Sequence, residues 1–297
     1  MSNGFIPKRD VILTLLHGVP ADYAAAFFAS LRRTGYRGEV VVFAGAMTEE
    51  SLAGLSRQGV RVVPFKFRGG RVKQILIRLW PVWRLVFNSR VAPEIKERLA
   101  RTVFHLFYLR HLLYLQFLRA HRQDYDRVFL TDARDVYFQA DPFSWNPPAG
   151  VHVFLEVTPF EDSEMNLRWI ARPFGTAAAA KMKGKTISCA GTVFGDMPGI
   201  LQYLETMVTL SMGARSQKEV TGDQGIHNYL VHQQPFPGIT IHDNRTGPVL
   251  TIGAARLETI RFNAEGWVVD DTGAVAPVLH QYDRHSAVEK ALLARLH

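Results

Sequence analysis

Two carboxylates and an arginine follow a short apolar run near the middle of the chain, as Asp132-Ala-Arg-Asp135. The run itself, Val-Phe-Leu at 128–130, is bounded by polar residues and predicts a short buried strand. Open α/β sheets bind ligands at the carboxyl ends of such strands. Because one or two protein carboxylates with phosphate oxygens and water can hold a hard divalent cation, the segment predicts a cation and diphosphate site. The alternative is a structural ion pair between Arg134 and its two acidic neighbours.

The spacing of the two acids sets a condition on the backbone. Successive side chains of a strand point to opposite faces of the sheet, so Asp132 and Asp135 would point apart if the strand continued through both. They can serve one site only if the chain turns between them.

The first 65 residues alternate between strand and helix patterns. Apolar runs predict strands at 11–16, 40–43 and 60–64, and helical composition lies between them at 21–33 and 49–58. This alternation is typical of a doubly wound α/β sheet. Neither GxGxxG nor GxxxxGK[ST] occurs at these turns, which argues against the common dinucleotide and P-loop sites.

The remaining elements follow in the same way. A helix at 102–121 leads into the 128–130 strand, and later patterns predict strands at 151–156, 186–194 and 238–242, helices at 197–212 and 224–231, and a short helix after residue 285. No Pro/Gly-rich or low-complexity linker divides the chain. We therefore expect one domain over 1–297, with a basic helical segment at 66–122 within it.

Composition limits the class of protein. With 297 residues and 47% hydrophobic content, the chain can bury a large core. The single cysteine, Cys189, excludes an internal disulfide and fits a reducing compartment, and we expect it to be buried and inert. The apolar run at 11–16 is too short for a signal peptide, and no segment is long enough for a membrane helix. We expect a cytoplasmic protein, with peripheral association at the inner face of a membrane as one option.

Positive charge is concentrated in one region. Eleven Lys and Arg residues lie between Lys66 and Arg110 against two glutamates, a local excess of nine, so the rest of the chain is about neutral given its net charge of +8. The eleven are at positions 66, 68, 71, 73, 78, 84, 90, 96, 98, 101 and 110. Residues 72–87 mix cations with Trp80, Trp83 and aliphatic residues, a composition typical of an anionic membrane contact. The alternative is an ordinary helix pair whose apolar side is core. No nucleic-acid reading module is recognisable, so we expect no nucleic-acid partner.

Four sequence blocks resemble those of GT-A fold nucleotide-sugar glycosyltransferases, and they occur in the same order. They are Asp132-Ala-Arg-Asp135 followed by Asp141-Pro-Phe143, then Ser188-Cys-Ala-Gly-Thr-Val-Phe-Gly195, then Gly222-Asp-Gln-Gly-Ile-His-Asn-Tyr-Leu230, and finally His280 in Leu-His-Gln-Tyr-Asp-Arg-His. The resemblance spans roughly residues 10–285. Each block is a weak motif alone, so the resemblance depends on their order.

The resemblance implies a fold and an activity. The fold is α/β, with a mixed, mostly parallel Rossmann-like sheet flanked by helices and a basic helical insertion. The activity is transfer of a sugar from a nucleotide-diphosphate donor of the UDP or GDP type to a glycan or lipid-linked acceptor. Asp132, Asp135 and His280 would hold Mn or Mg. Retention of anomeric configuration is implied by His280 and by the block around Asp223 and Gln224.

Further residues receive donor-binding roles. His17 and Gly18, at the end of the first strand, would line the nucleotide pocket, although a turn alone explains the glycine. The planar guanidinium of Arg134 suits diphosphate oxygens. Ser188 and Gly191 belong to the block that lines the sugar and acceptor pocket in the resembling enzymes. Trp169, with Asn166 and Arg168, would cover the acceptor, and residues 282–285 would close over the donor.

Asp223 and Gln224 are the catalytic candidates. Asp223 would lie near the reacting carbon, as a sugar contact or as a base for the acceptor, and Gln224 would contact or stabilise the sugar. The alternative is helix capping, because Thr221-Gly-Asp-Gln immediately precedes a helical pattern and Asp is a preferred N-cap residue.

Other interpretations stay open. The family motif has one residue between the aspartates, and this chain has two. Either both acids bind the metal, or only Asp135 does and Asp132 supports Arg134 or the nucleotide ribose. A second hypothesis is a non-catalytic GT-A module that binds nucleotide or glycan at a membrane surface. A metal-dependent phosphohydrolase is less favoured, because Arg134 occupies the place where that chemistry needs a second aspartate.

Overall fold

The structure is a computed structural model that describes residues 9–67, 69–218, 222–233 and 236–296. Arg68 of the basic segment and Thr221 of the predicted helix cap lie outside the described residues.

The described strands and helices alternate through most of the chain. The strands are β1 Asp10–His17, β2 Glu39–Gly45, β3 Arg61–Phe65, β4 Arg127–Thr131, β5 Val136–Phe138, β6 Val151–Pro159, β7 Thr186–Asp196, β8 Ile239–His242, β9 Val249–Thr251, β10 Arg261–Phe262, β11 Val268–Val269 and β12 Val278–His280. The helices are α1 Ala25–Arg33, α2 Glu49–Arg57, α3 Gly70–Arg78, α4 Trp80–Phe87, α5 Pro93–Val103, α6 Leu106–Ala120, α7 Glu164–Phe174, α8 Thr176–Ala180, α9 Met197–Gly213, α10 Asp223–Gln233 and α11 Ser286–Leu293.

The main sheet has the strand order β3-β2-β1-β4-β7-β6-β8. Strand β7 is antiparallel to its neighbours β4 and β6, and the other adjacent strands are parallel. Helices cover both faces, as the continuous apolar runs of β1 and β2 require of a parallel sheet. The predicted fold class, a mixed and mostly parallel sheet flanked by helices, is therefore confirmed.

Consecutive residues of β4 point into different cores. Val128 packs with α4, α6 and α9 on one face, whereas Phe129 packs with α1 and α2 on the other. The Phe129 ring stacks on Phe194 of β7 with centroids 3.8 Å apart. Because both faces of this strand are buried, its register is fixed, and the residue that follows it has a defined position.

Two predicted helices are interrupted. The pattern at 102–121 forms the end of α5 and the whole of α6, with extended backbone at Phe104 and His105 between them. The Nζ of Lys73 donates hydrogen bonds of 2.7 and 2.8 Å to the carbonyls of Thr102 and Phe104, which stabilises these groups outside a continuous helix. The pattern at 21–33 begins as a 3-10 turn over Ala21–Ala24 before α1.

A second, smaller sheet has the order β5-β12-β9. Strand β12 pairs antiparallel with β5, placing His280 opposite Val136. This pairing brings the C-terminal segment beside the turn that follows β4.

The basic segment is helical. Residues 66–122 include α3, α4, α5 and α6, and its description as an insertion within a single domain stays a prediction. Within the described ranges, no helix combines the length and the apolarity needed to cross a membrane.

Candidate functional site

The chain turns between the two aspartates. Strand β4 ends at Thr131 and β5 begins at Val136, so Asp132 and Asp135 lie at the two ends of a four-residue turn. Each is fixed through its backbone: the N–H of Asp132 donates to Gly191 at 2.9 Å, and the carbonyl of Asp135 accepts from the N–H of Gln281 at 2.7 Å. The chain therefore turns between the two aspartates, as a site shared by both requires.

Asp132, Asp135 and His280 form one cluster. Their potential ligand atoms all lie within 4.8 Å of one another. The Nε2 atom of His280 is 3.7 Å from Asp135 Oδ1 and 4.0 Å from Asp132 Oδ2. It is buried and has no hydrogen-bond partner among the described residues. A buried nitrogen without a partner is costly, and one that faces two carboxylates fits a cation ligand.

The second nitrogen of His280 is held in place. Its Nδ1 atom lies 3.4 Å from the Thr251 hydroxyl and 3.4 Å from the sulfur of Cys189. Burial raises the pKa of the Cys189 thiol well above its ordinary value, so the sulfur is protonated at neutral pH. Cys189 therefore acts as an orienting neighbour, in agreement with its prediction as a buried, inert residue.

The glycine of β7 leaves space for the cluster. A Cβ atom at Gly191 would lie 2.7 Å from Asp132 Oδ2, closer than real Cβ atoms approach, and 3.0 Å from His280 Nε2, which is tighter than most real contacts. Two carboxylates and one imidazole around a space that only glycine leaves free suit a hard divalent cation. The residues present therefore fit the metal that the resemblance implied.

Several carboxyl groups near the cluster resist ionisation. Burial raises the pKa of Asp135, and Asp132 and Asp283 add to this effect against His280 and Arg134. Burial also raises the pKa of Glu156. Such crowding of acids in a cleft is a recognised sign of a functional site, because a bound cation would relieve it.

Arg110 connects the cluster to the catalytic candidate. From α6, its guanidinium donates to Asp132 Oδ1 at 2.6 Å and to Asp223 Oδ2 at 2.7 Å. Burial alone would lower the pKa of Arg110, but the two carboxylates outweigh it and raise the pKa, so the group is charged. Burial raises the pKa of Asp223, and Arg110 opposes this rise.

Arg110 is a site residue that sequence reasoning counted only as part of the basic segment. The signal was present, because Arg110 is the only Lys, Arg, Asp or Glu between positions 106 and 118. A single charge in an otherwise apolar, buried helix requires a buried partner of opposite sign. Glu156 was also missed, although it is an acid at the end of a predicted strand, as Asp132 is.

Gln224 lies next to Asp223 at the start of α10. Its side-chain amide donates to the carbonyl of Ser188 at 2.9 Å and accepts from the N–H of Ala190 at 2.8 Å. The amide thus joins α10 to the backbone of β7. Asp223 is the first residue of α10, and it also pairs with Arg110. The ion pair therefore does not exclude the helix-capping role that the sequence suggested.

These side chains surround a cavity of about 390 Å³. Its lining includes the predicted site residues Asp132, Asp135, Gly191, Asp223, Gln224 and His280, together with Phe107, Arg110, Glu156, Met165, Asn166, Trp169, Cys189, Ala190, Gln281 and Arg284. The lining contains four carboxyl groups and two guanidinium groups, so acids are in excess. Trp169 and Asn166, predicted to cover the acceptor, are part of this lining.

Ser188 does not line this cavity. Its side chain is completely buried; the hydroxyl donates to the carbonyl of Phe154 at 3.3 Å and lies 2.9 Å from His227 Nε2. Its carbonyl holds the amide of Gln224. The structure therefore gives Ser188 a supporting position behind the cavity wall.

The end of β1 also lies outside this lining. The His17 ring packs against Phe65 and Phe67, with centroids 5.7 and 5.2 Å away. Gly18 has a φ of 65° and lines a second cavity, of about 540 Å³, beside the residues that follow β2.

Arg134 pairs with one of the two expected acids, Asp135, and with a second one that was not expected, Asp283. Its Nη2 atom is 3.1 Å from Asp283 and 3.6 Å from Asp135. Asp132 pairs with Arg110 instead, so the interpretation in which Asp132 supports Arg134 is wrong. The local reason is the turn after β4, which directs Arg134 toward the C-terminal segment and Asp132 toward α6.

Comparison with known proteins shows the fold. No protein-family model matches the sequence, and no curated protein is similar to it. Among solved structures, an active-site mutant of LgtC matches with a TM-score of 0.50 at 13% identity, over 96% of this chain and 95% of that chain. This likeness confirms the predicted GT-A fold.

Two further matches have lower scores. Galactosyltransferase LgtC, in complex with donor and acceptor sugar analogues, matches with a TM-score of 0.48 at 14% identity, over 96% of this chain and 93% of that chain. Core-mannan synthase A from Aspergillus fumigatus, in its Mn/GDP form, matches with a TM-score of 0.43 at 10% identity, over 81% and 74%.

Proposed function

We propose that this chain is a metal-dependent glycosyltransferase that moves a sugar from a nucleotide-diphosphate donor to a glycan or lipid-linked acceptor. The observation that carries the proposal is the buried His280 Nε2 atom, which faces Asp132 and Asp135 without a partner among the described residues. The cavity beside it contains Asp223, which is where a sugar and an acceptor would meet. The GT-A fold supports the same activity.

Asp132, Asp135 and His280 would hold the cation. Oxygen-rich ligation suits Mn or Mg, and one imidazole favours Mn. A divalent cation supplies charge stabilisation for the diphosphate leaving group. Gly191 keeps the space beside these ligands free, because any Cβ atom there would displace Asp132 and His280.

The remaining polar residues would orient the reactants. Asp223 is proposed to contact the sugar hydroxyls or to take the proton of the acceptor, since its raised pKa favours sharing a proton. Gln224 fixes the start of α10 against β7 and lines the cavity beside it. Arg110 holds Asp132 and Asp223 in a defined relation before ligands arrive. Retention of configuration is part of the proposal through the resemblance of His280, Asp223 and Gln224 to retaining enzymes.

The nucleotide is proposed to lie between the cluster and the end of β1. Arg134 would pair with diphosphate oxygens after exchanging its contact with Asp283. Gly18 lines a cavity of suitable size for a base, about 540 Å³, with His17 immediately before it. Ser188 would act on the donor indirectly, through Gln224.

A second candidate function is a non-catalytic module that binds nucleotide or glycan. The observation that favours it is Arg110, whose single positive charge already pairs with both Asp132 and Asp223. A guanidinium that occupies both carboxylates competes with a metal ion at Asp132 and with a proton at Asp223, and such a site can bind a ligand without transferring a sugar.

A thermal-shift panel tests the proposal. UDP-, GDP-, CMP- and dTDP-sugars are added with and without Mn to the wild type, to Asp135→Ala and to the matched control Asp124→Ala, whose aspartate is exposed. We expect one donor to stabilise the protein only with Mn, by about 2.7 kcal/mol at 100 times its Kd, in the wild type and control but not in Asp135→Ala. Release of nucleotide diphosphate with acceptor present then supports transfer. Donor binding without release favours the module, and no response to any donor contradicts both.

A further inference from the structure

The helices of the basic segment expose an unusual number of large apolar side chains. Twelve large hydrophobic residues are exposed in the described part of the chain, and six of them lie between positions 72 and 95. Five form a stripe along α3 and α4, with exposed fractions of 55% for Val72, 55% for Ile75, 46% for Leu79, 55% for Val82 and 74% for Leu85. Val72 and Ile75 are three positions apart within α3, and Val82 and Leu85 are three apart within α4, so each pair lies on one side of its helix, with Leu79 between the two helices. We call these five residues the α3–α4 face.

The opposite side of the same helices belongs to the core. Ile77, Trp80 and Phe87 are buried, and the indole N–H of Trp80 donates to the carbonyl of Ala214 at 2.7 Å. The tryptophan predicted as a membrane contact therefore has a structural role. An ordinary amphipathic helix has one apolar side, whereas α3 and α4 have two. The core explains only the inner side, so the α3–α4 face needs a different explanation.

The charged residues of α3 and α4 all have one sign, and residues 66–93 contain no Asp or Glu. Arg71 and Arg78 of α3 are exposed, as is Arg90, just after α4. Lys73 is buried on two carbonyls and Arg84 donates to the carbonyl of Gly213, so these two cations belong to the fold rather than to the surface.

We infer that the α3–α4 face docks on the surface of an anionic phospholipid bilayer. The five aliphatic side chains would enter the boundary between headgroups and acyl chains, and the three arginines would meet lipid phosphates. A second copy of the chain fits this face less well, because a symmetric contact would bring the arginines of one copy near those of the other. The inference depends on a surface away from the Asp132 cluster and is independent of the proposed transfer reaction.

Vesicle binding with matched variants tests the inference. The full-length chain is mixed with vesicles of phosphatidylcholine containing 30% phosphatidylserine, and with pure phosphatidylcholine. The charge variant is Arg71→Gln, Arg78→Gln and Arg90→Gln. Its control is Arg37→Gln, Arg122→Gln and Lys290→Gln, which removes three exposed cations elsewhere and gives the same net charge. We expect the partition coefficient on anionic vesicles to fall roughly 100-fold in the charge variant only, about 1 kcal/mol for each arginine.

The apolar contribution is tested separately. Ile75→Ser, Leu79→Ser and Leu85→Ser are combined and compared with Ile241→Ser and Leu257→Ser, which alter exposed aliphatic residues elsewhere. We expect binding to fall at least tenfold in the first variant and to be retained in the second. All these positions are exposed, so thermal unfolding should be close to that of the wild type and shows that each variant is folded.

A fluorescent probe reports insertion directly. Because the only cysteine, Cys189, is buried, Leu85→Cys can be labelled selectively with a polarity-sensitive dye, and labelled Lys290→Cys is the control. Anionic vesicles should shift the emission of the first probe to shorter wavelength and leave the second unchanged. The inference is overturned if the wild type does not bind anionic vesicles, or if the charge and apolar variants bind as well as their controls. A wild-type dimer that the apolar variant dissociates would also overturn it, in favour of self-association.

Discussion

The cavity around Asp132 buries polar side chains, whereas the α3–α4 face exposes apolar ones, so the two regions depart from the usual distribution of side chains in opposite directions. In the cavity, Asp135, Asp223 and His280 are polar and buried. On the face, Ile75 and Leu85 are apolar and exposed. Proteins generally bury apolar side chains and expose charged ones, so each arrangement costs stability or solubility. Each is explained by what it would meet: a cation with phosphates in one case, a lipid surface in the other.

The two regions differ in how far the rest of the protein offsets the cost of burying polar side chains or exposing apolar ones. In the cavity, Arg110 pairs with two carboxylates, and backbone groups fix the turn, so the polar residues are tied into the fold. On the face, the five side chains are 46–74% exposed, so they contribute less to the fold. Substitutions in the cavity should therefore change stability and function together, whereas substitutions on the face should change function alone.

The largest expected effect tests the space beside the metal ligands. Gly191→Ala places a methyl group 2.7 Å from Asp132 Oδ2, which must displace a ligand. We expect sugar transfer to fall roughly 100- to 1,000-fold, because charge stabilisation of the leaving group depends on these ligands. The measurement is the transfer rate with Mn, together with stabilisation by Mn alone.

The matched control is Gly213→Ala, since among the described residues, apart from its chain neighbours and its own helix backbone, no atom lies within 4 Å of a Cβ atom there. Its activity should equal that of the wild type. Full Mn-dependent stabilisation of Gly191→Ala would show that the cation lies elsewhere.

The next effect concerns stability. Arg110→Met leaves Asp132 and Asp223 without their partner, and we expect it to lower the free energy of unfolding by about 3–5 kcal/mol. Arg119→Met is the control, because Arg119 also pairs with two carboxylates, Glu97 and Glu205, but is 43% exposed. Its effect should be below about 1 kcal/mol. Urea unfolding measures both, and equal effects would mean that the buried pairs add nothing beyond surface pairs.

A third test uses two isoleucines on one helix. Ile77 is 9% exposed and faces the core, whereas Ile75 is 55% exposed and belongs to the α3–α4 face. We expect Ile77→Ala to lower the free energy of unfolding by about 2–4 kcal/mol and Ile75→Ala to change it by less than about 0.5 kcal/mol. A large loss for Ile75→Ala in urea unfolding would mean that this side chain supports the fold.

The smallest effect, counted per pH unit, is on the pH dependence of stability. Burial lowers the pKa of His227 to about 3, and the nearby His232 and Arg110 add to this effect. The neutral ring lies between the Ser188 and Tyr203 hydroxyls. The unfolded chain binds this proton near pH 6.5, so unfolding becomes easier as pH falls from about 6.5 toward 3, by up to about 1.4 kcal/mol per pH unit.

His227→Gln should reduce that slope, whereas Arg78→Gln should leave it unchanged, because guanidinium groups stay protonated throughout this range. Urea unfolding at several pH values between 6.5 and 4.5 measures the slopes. An unaltered slope in His227→Gln would mean that the proton is taken up by another group.

The sequence predicted what depends on local pattern and on motif order. The strand before Asp132 and the alternation of the first 65 residues follow from apolar runs, and the block order identified the GT-A fold. The sequence did not predict the turn between the aspartates; it showed only that a shared site would need one. The structure supplies this turn, because the chain leaves the main sheet after β4 and forms β5, which pairs with β12, more than a hundred residues later in sequence.

Other features depend on contacts that sequence pattern does not encode. Arg110 was visible as the one charged residue in the apolar run at 106–118, but its two partners lie on different elements. The break between α5 and α6 depends on Lys73, a residue that composition assigned to the surface. The α3–α4 face was hidden because both sides of these helices are apolar, so periodicity could not tell core from surface.

The inner side of α4 also contacts the end of α9. Trp80 donates to the carbonyl of Ala214 and Arg84 to that of Gly213, and Ala214 is only nine residues before Asp223 in the sequence. When lipid and donor both bind, thermodynamic linkage relates the two regions. Any factor by which lipid binding changes donor affinity must equal the factor by which the donor changes lipid affinity. Measuring vesicle binding with and without donor would therefore give the coupling free energy between the two regions without an activity assay.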